Sequence, residues 1–130
     1  MNRSGSLSIK SEQAGDVAVL RCAGRLVRGK ALNLLKNAVI SLLGKRMIVL
    51  DLSKVETLDC GALGMLVLLQ CWTRSNGIQL NLVDPSKMAR EMFERTGLTC
   101  VLHISSMGDA VDVLSGRPRL SDSYLQENPL

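Results

Sequence analysis

The sequence is poor in aromatic residues and has no long apolar run. Phe93, Trp72 and Tyr124 are its only aromatic side chains, so the core has to be aliphatic. No uncharged apolar stretch reaches the roughly 18–20 residues that cross a bilayer. The polar segment Met1–Lys10 also lacks the apolar centre of a signal peptide. We therefore predict a soluble, cytoplasmic protein with no direct membrane insertion.

Metal ligands are also scarce. The chain has a single histidine, His103, and its four cysteines contain no Cys-x-x-Cys pair (Cys22, Cys60, Cys71 and Cys100). These residues cannot supply the ligand spacing of a zinc site, so we predict neither a metal nor a cofactor. We interpret the cysteines as mostly small buried residues in a reducing compartment.

The net charge is +4, but the basic residues are dispersed along the chain. Nucleic-acid-binding proteins usually combine a dense basic stripe with exposed aromatic side chains, and this sequence has neither. We therefore predict no nucleic-acid binding. The basic residues are interpreted as a solvated face or as a surface for an acidic protein partner.

The first half of the chain predicts a hairpin followed by a helix. Apolar residues alternate on either side of an Ala14-Gly15 turn, which indicates two short strands between Leu7 and Cys22. A loop carrying Arg25 and Arg28 is expected next. A 3.6-residue apolar period then predicts a helix over 31–42, with Gly44 at its C-terminal cap.

The second half alternates strands and helices. The continuous apolar run Met47–Leu52 predicts a strand buried on both faces, which we expect to be followed by a polar surface segment. Further strands are predicted over Ile78–Val83 and Cys100–Ile104. Three helices are predicted, over Gly61–Arg74, Lys87–Arg95 and Ser106–Leu114. The first is expected to be largely covered by other elements. The second is expected to begin at an Asp84-Pro85-Ser86 cap and to end at Gly97.

This order of elements predicts one α/β domain over residues 1–115. It has an opening hairpin, a mixed sheet of about four to five strands, and about four helices joined by right-handed crossovers. Proline, serine and charged residues predominate after Ser115, so residues 116–130 are predicted to form a mobile tail.

Four motifs together resemble the STAS domain (sulfate transporter and anti-sigma factor antagonist). The resemblance covers roughly residues 5–115 and implies the fold predicted above. The matching segments are Asp51-Leu52-Ser53-x-Val55 with Leu58-Asp59-x-x-x-Leu63-Gly64, Gly24 with Leu26, Asp84-Pro85-Ser86, and Phe93-x-x-Thr96-Gly97-Leu98.

The resemblance implies a phosphorylation-controlled docking surface, which this chain alters. In the antagonist branch a serine after the acid is phosphorylated by the partner anti-sigma factor, a kinase, and only the unphosphorylated form binds that kinase. The added charge of about −1.5 to −2 beside an acid repels the partner. Here Cys60 occupies the serine position, Gly61 removes the neighbouring hydroxyl, and Val27 replaces an acid often found after the Gly-x-Leu segment. The resemblance therefore implies docking without the usual switch.

The predicted partner-binding residues surround the start of the second predicted helix. They are Asp59, Cys60, Gly61, Ala62, Leu63 and Gly64, together with Arg25 and Arg28 from the preceding loop. Asp59 is interpreted as a helix cap, with metal binding as the alternative. For Cys60 the alternatives are a small packed residue and a redox sensor at a helix N-terminus.

No nucleophile, base and oxyanion site can be assembled from the sequence, so we do not predict an enzyme. The hydroxyls of Thr57 and Ser53 remain alternative phosphorylation sites, and His103 is interpreted as structural. The predicted function is that of an anti-sigma factor antagonist-like bacterial protein that regulates transcription. The alternatives are a small STAS subunit of a membrane lipid-transport ATPase and a sensor of a small ligand or nucleotide. A homodimer through the hairpin or the tail also stays open.

Overall fold

In the part of the chain that the structure describes, five strands form one mixed sheet, with three helices on one of its faces. The structure, a computed structural model, describes residues 6–108. Most of the predicted last helix and all of the predicted tail lie outside this range. The strands are β1 (Leu7–Ala14), β2 (Val17–Leu26), β3 (Met47–Leu58), β4 (Gln79–Val83) and β5 (Ile104–Ser105). The helices are α1 (Lys30–Ile40), α2 (Cys60–Ser75) and α3 (Lys87–Thr96).

The strands lie in the sheet in the order in which they occur in the chain. β1 and β2 are antiparallel and form the predicted opening hairpin, closed by the pair Ala14 and Val17. Gly15 lies between them with φ of 60°, a left-handed conformation that glycine adopts without steric cost. β2, β3, β4 and β5 are parallel, so the prediction of one α/β domain with a mixed sheet is confirmed.

β2 and β3 are both longer than predicted. β2 extends to Leu26, so Arg25 lies in a strand and not in the expected loop. β3 extends to Leu58, where a polar surface segment was expected after Leu52. Two irregularities in the pairing with β2 shift the register, and they keep Val55 and Leu58 on the buried face although these residues are spaced by three.

Two apolar clusters cover opposite faces of the sheet. The larger one joins all three helices to one face, for example through Leu35, Leu66 and Phe93 packed with Leu50. Side chains alternate across a strand, so the neighbouring Val49 belongs to the second cluster, on the other face. Within residues 6–108, no helix is long and apolar enough to cross a membrane.

The start of α3 supports the free edge of β3. Pairing between β3 and β4 ends at Asp51 and Val83, so the last part of β3 has a strand on one side only. On the other side, the Ser86 N–H donates to Leu52 O at 3.2 Å and the Ser86 hydroxyl donates to Val55 O at 2.8 Å. Ser86 Oγ also accepts from Ala89 N–H, which confirms its predicted role as the cap of α3.

The prediction of a strand over Cys100–Ile104 was wrong. Gly97 ends α3 in the left-handed conformation, as predicted, with φ of 76°. The N–H groups of Val101 and Leu102 then both donate to Leu98 O at 2.9 Å, which holds this segment in a tight turn. The chain becomes extended only at Ile104, so β5 has two residues.

Candidate functional site

Asp59 joins the start of α2 to the loop between β2 and α1. One carboxylate oxygen accepts the N–H of Ala62 at 2.9 Å, which makes Asp59 the N-cap of α2, as predicted. The other oxygen accepts the N–H of Arg28, also at 2.9 Å. Both oxygens are therefore used to hold backbone, and two segments that are 31 residues apart in sequence are fixed against each other.

The same contacts keep Asp59 ionised. The hydrogen bond from the Arg28 N–H is the main cause that lowers the pKa of Asp59 below its ordinary value, with further contributions from the Ala62 N–H and the Arg28 charge. Partial burial acts in the opposite direction. The site thus presents a structural carboxylate next to a cation.

The predicted partner-binding residues divide by exposure. Cys60, Gly64, Arg25 and Arg28 are exposed, and Asp59 and Gly61 are partly buried. By contrast, the side chains of Ala62 and Leu63 belong to the apolar core that joins the helices to the sheet. The accessible part of the candidate site around Asp59 is therefore formed by Cys60, Gly64 and Arg28. Arg25 is in β2 next to the core residue Leu26, so its side chain lies on the opposite face of the sheet.

Gly61 lies close to α1 and to the loop that precedes it. A Cβ atom at Gly61 would lie 3.4 Å from Leu32 Cδ1 and 3.5 Å from Arg28 Nε. The Arg28 side chain therefore extends over the start of α2, and α1 faces α2 at Leu32. Leu32 was missed at the sequence level, because nothing in its helical pattern indicates which side of α1 contacts α2.

The prediction that the cysteines are mostly buried was wrong. Cys22 is buried, whereas Cys60, Cys71 and Cys100 are exposed. Burial, with a smaller effect of the Asp51 charge, raises the pKa of Cys22 to about 12. Cys60 therefore does not fill a core position as a packed replacement for serine, and its thiol is accessible at the first turn of α2.

The other hydroxyl and acidic residues near the motif lie in β3. Ser53 is in the irregular part of the strand, and its N–H donates to Asp51 Oδ1 at 2.9 Å. The other carboxylate oxygen of Asp51 forms an ion pair with Arg21, at 3.2 Å, so Asp51 takes no part in the contacts of Asp59. Thr57 was expected in a polar surface segment. It lies instead in β3, where it is paired with Arg25 of β2.

Nothing in the described part of the chain forms a catalytic or metal centre around Cys60. Residues 6–108 contain no group of three or more histidine, cysteine or acidic side chains that could hold a metal ion. His103 contacts Asn81 through its ring and Gln70 through its N–H, both at 3.3 Å. Gln70 is ten residues along α2 from Cys60, or about 15 Å of helix, so the histidine cannot act as a base for the thiol.

Comparisons with known proteins agree with this architecture. The family model of the STAS domain matches residues 8–110. No match was found among curated proteins.

Several solved structures have the same fold at low sequence identity. SpoIIAA, an anti-sigma factor antagonist, in its unphosphorylated form has a TM-score of 0.70 at 16% identity, over 86% of this chain and 100% of its own. The phosphorylated form of the Bacillus protein gives 0.64 at 16% identity, over 82% and 99%. An anti-sigma factor antagonist from Mycobacterium paratuberculosis gives 0.69 at 21% identity, over 87% and 97%.

Proposed function

Because the chain belongs to the STAS domain family, we propose that it is an anti-sigma factor antagonist-like regulator that binds its partner at the start of α2. The contact surface is formed by Cys60 and Gly64 together with Arg28 from the loop that follows β2. It would act in the bacterial cytoplasm, in the control of transcription.

The observation that carries this proposal is the double hydrogen bond of Asp59. It fixes the loop and the helix start as one surface before any partner arrives, and a preformed surface loses less conformational entropy on binding. The surface has exposed backbone at Gly64 and a cation at Arg28, which suits it to contact another protein. His103 contacts α2 about 15 Å along the helix from Cys60, and both oxygens of the neighbouring Asp59 are hydrogen-bonded to backbone, which favours binding over catalysis.

Binding is tested with the purified full chain and the anti-sigma factors of the same organism, by isothermal titration calorimetry. Gly64→Arg places a long side chain on the proposed surface, and no atom lies within 4 Å of the position of its Cβ, so the fold is preserved. We expect this variant to lose binding. Asn37→Arg is the matched control, since Asn37 is exposed on α1 but lies about 140° around that helix from Leu32, the residue that faces α2, and it should bind like the wild type.

The outcome also separates the alternatives. Equal binding by the wild type and Gly64→Arg would contradict the proposed surface. If no anti-sigma factor binds, and the subunits of a lipid-transport ATPase bind instead, the chain is a transporter component. Stabilisation by a nucleotide or a lipid in a thermal-shift assay, with no protein bound, would favour a small-ligand sensor.

We further propose that the surface works without a serine phosphorylation switch. Cys60 is exposed and therefore accessible to a kinase. A serine kinase phosphorylates a hydroxyl group, however, and not a thiol. Incubation of the wild type with a kinase-type anti-sigma factor and ATP should add no phosphate by intact-mass spectrometry. Cys60→Ser should become phosphorylated, and phosphate on wild-type Ser53 or Thr57 would refute this proposal.

A further inference from the structure

Large aliphatic side chains are exposed on the two helices next to the candidate site. Ile40 of α1 and Leu68 of α2 are 42% and 64% exposed, and Leu43, in the turn that follows α1, is 60% exposed. The apolar pattern of α2 had predicted a helix covered on most sides, and the exposure of Leu68 corrects that prediction. Single exposed leucines are common on protein surfaces, so their arrangement matters more than their number.

Helical periodicity places these side chains along one groove. Gly61 and Leu32 face each other between α2 and α1, as described above. Residues three, four, seven, eight or eleven positions further along a helix share a face with the first. The side of α2 that faces α1 therefore continues through Met65, Leu68 and Trp72, and the side of α1 that faces α2 continues through Lys36 and Ile40. We call the exposed part of these two rows the α1–α2 groove.

The charge around this groove has one sign. Neither α1 nor α2 contains an acidic residue. Lys36 is in the α1 row of the groove, and Arg28 lies at the end where both helices begin, with its Nε 3.5 Å from the position of a Cβ at Gly61. Lys30 and Arg74 lie about 160° and 220° around their helices from Leu32 and Gly61, so they do not border the groove. The carboxylate of Asp59 lies at the same end, and both of its oxygens are hydrogen-bonded to backbone. A ligand in the groove would thus meet aliphatic side chains bordered by cations.

We propose that the α1–α2 groove binds an acidic amphipathic helix of the partner protein. This proposal rests on the proposed function and extends the contact from the start of α2 along its exposed face. An amphipathic helix presents apolar side chains at positions i, i+3, i+4 and i+7, which matches a groove between two helices. Glutamate and aspartate on its flanks would face the cations, whereas a second copy of this basic groove would be repelled.

The binding test uses two leucines on α1 and α2. Leu68→Asp puts a charge in the groove, and it should weaken binding of the anti-sigma factor by roughly tenfold or more in calorimetry. Leu34→Asp is the matched control, because Leu34 is 44% exposed and lies about 200° around α1 from Leu32. It should bind like the wild type, and Lys36→Glu should reduce the salt dependence of binding.

A second measurement does not require the anti-sigma factor. Trp72 is the only tryptophan of the chain and is partly buried beside the groove, so its fluorescence reports occupancy. The probe is a tryptophan-free amphipathic peptide of about four helical turns, made once with glutamates and once with lysines on its polar face. The acidic peptide should shift the emission of the wild type and of Leu34→Asp, but not that of Leu68→Asp, and the basic peptide should have no effect.

Each outcome decides the proposal. If Gly64→Arg abolishes binding of the anti-sigma factor while Leu68→Asp binds like the wild type, the groove proposal is wrong and the proposed function stands. If no anti-sigma factor binds, the proposed function fails and the peptides still test the groove. An emission shift with phosphatidylglycerol vesicles but not with the acidic peptide would show a membrane-binding face, and no shift with either would also overturn the proposal.

Discussion

Replacing Asp59 by asparagine should separate its two hydrogen bonds. Asparagine keeps an oxygen for the Ala62 N–H, but its amide group turns a donor toward the Arg28 N–H, so that bond is lost. A hydrogen bond to a charged group contributes about 1.5–3 kcal/mol, and partial exposure places the expected loss near the lower end. Asp59→Ala also loses the cap, which costs about 1 kcal/mol more.

In urea unfolding at neutral pH, we expect the wild type to be the most stable, Asp59→Asn to be less stable and Asp59→Ala to be the least stable. The m-values should be unchanged. Asp16→Asn removes an exposed carboxylate elsewhere and serves as the control for charge alone. If Asp59→Asn is as stable as the wild type, the bond to Arg28 contributes nothing and the account of a preformed surface fails.

The pH dependence gives an independent check. The pKa of Asp59 is lowered in the folded state from its ordinary value of 3.8, mainly by the Arg28 N–H. A lowered pKa stabilises the fold above the ordinary value, and the gain is lost as the pH falls through the lowered value. The free energies of unfolding of the wild type and Asp59→Asn should therefore converge below about pH 4. A constant difference at acid pH would contradict this assignment.

Two further predictions concern Gly24 in β2 and the accessibility of the cysteines. Gly24→Ala should destabilise the fold by about 1–3 kcal/mol or more in the same urea assay, because φ is 110° and the new Cβ would overlap the carbonyl oxygen of Ser6. Gly29→Ala has a similar φ of 113° but no neighbour within 4 Å, so an equal loss in both variants would refute the steric argument. In maleimide labelling followed by mass spectrometry, the three exposed cysteines should react in the folded protein and Cys22 only after denaturation. Labelling of Cys22 at the same rate would show that it is accessible.

The strands were predictable where the apolar pattern has a simple period. The run Met47–Leu52 and the hairpin pattern identified the sheet, because burial selects apolar side chains at those positions. The end of β3 was not predictable, since Val55 and Leu58 follow a spacing of three that resembles neither an alternating strand nor an exposed loop. Only the shifted pairing with β2, a contact between distant parts of the chain, brings both to the buried face.

The candidate site was predictable in its local part. The role of Asp59 as a cap follows from an acid before an apolar helix, and the structure confirms it. The bond from the Arg28 N–H depends on tertiary contact and leaves no local signal. The exposure of Cys60 was also missed, because composition favours buried cysteines, while the position of the residue on the first turn of α2 decides its exposure.

The contacts of Ser86 with β3 have a consequence for solubility. The part of β3 that leads into α2 extends beyond β4, and an uncovered strand edge of this kind would pair readily with a strand from another molecule. The start of α3 occupies that edge and uses the carbonyl groups of Leu52 and Val55. The surface proposed for docking can therefore lie at the end of a long strand without a free strand edge beside it that would act as a template for aggregation.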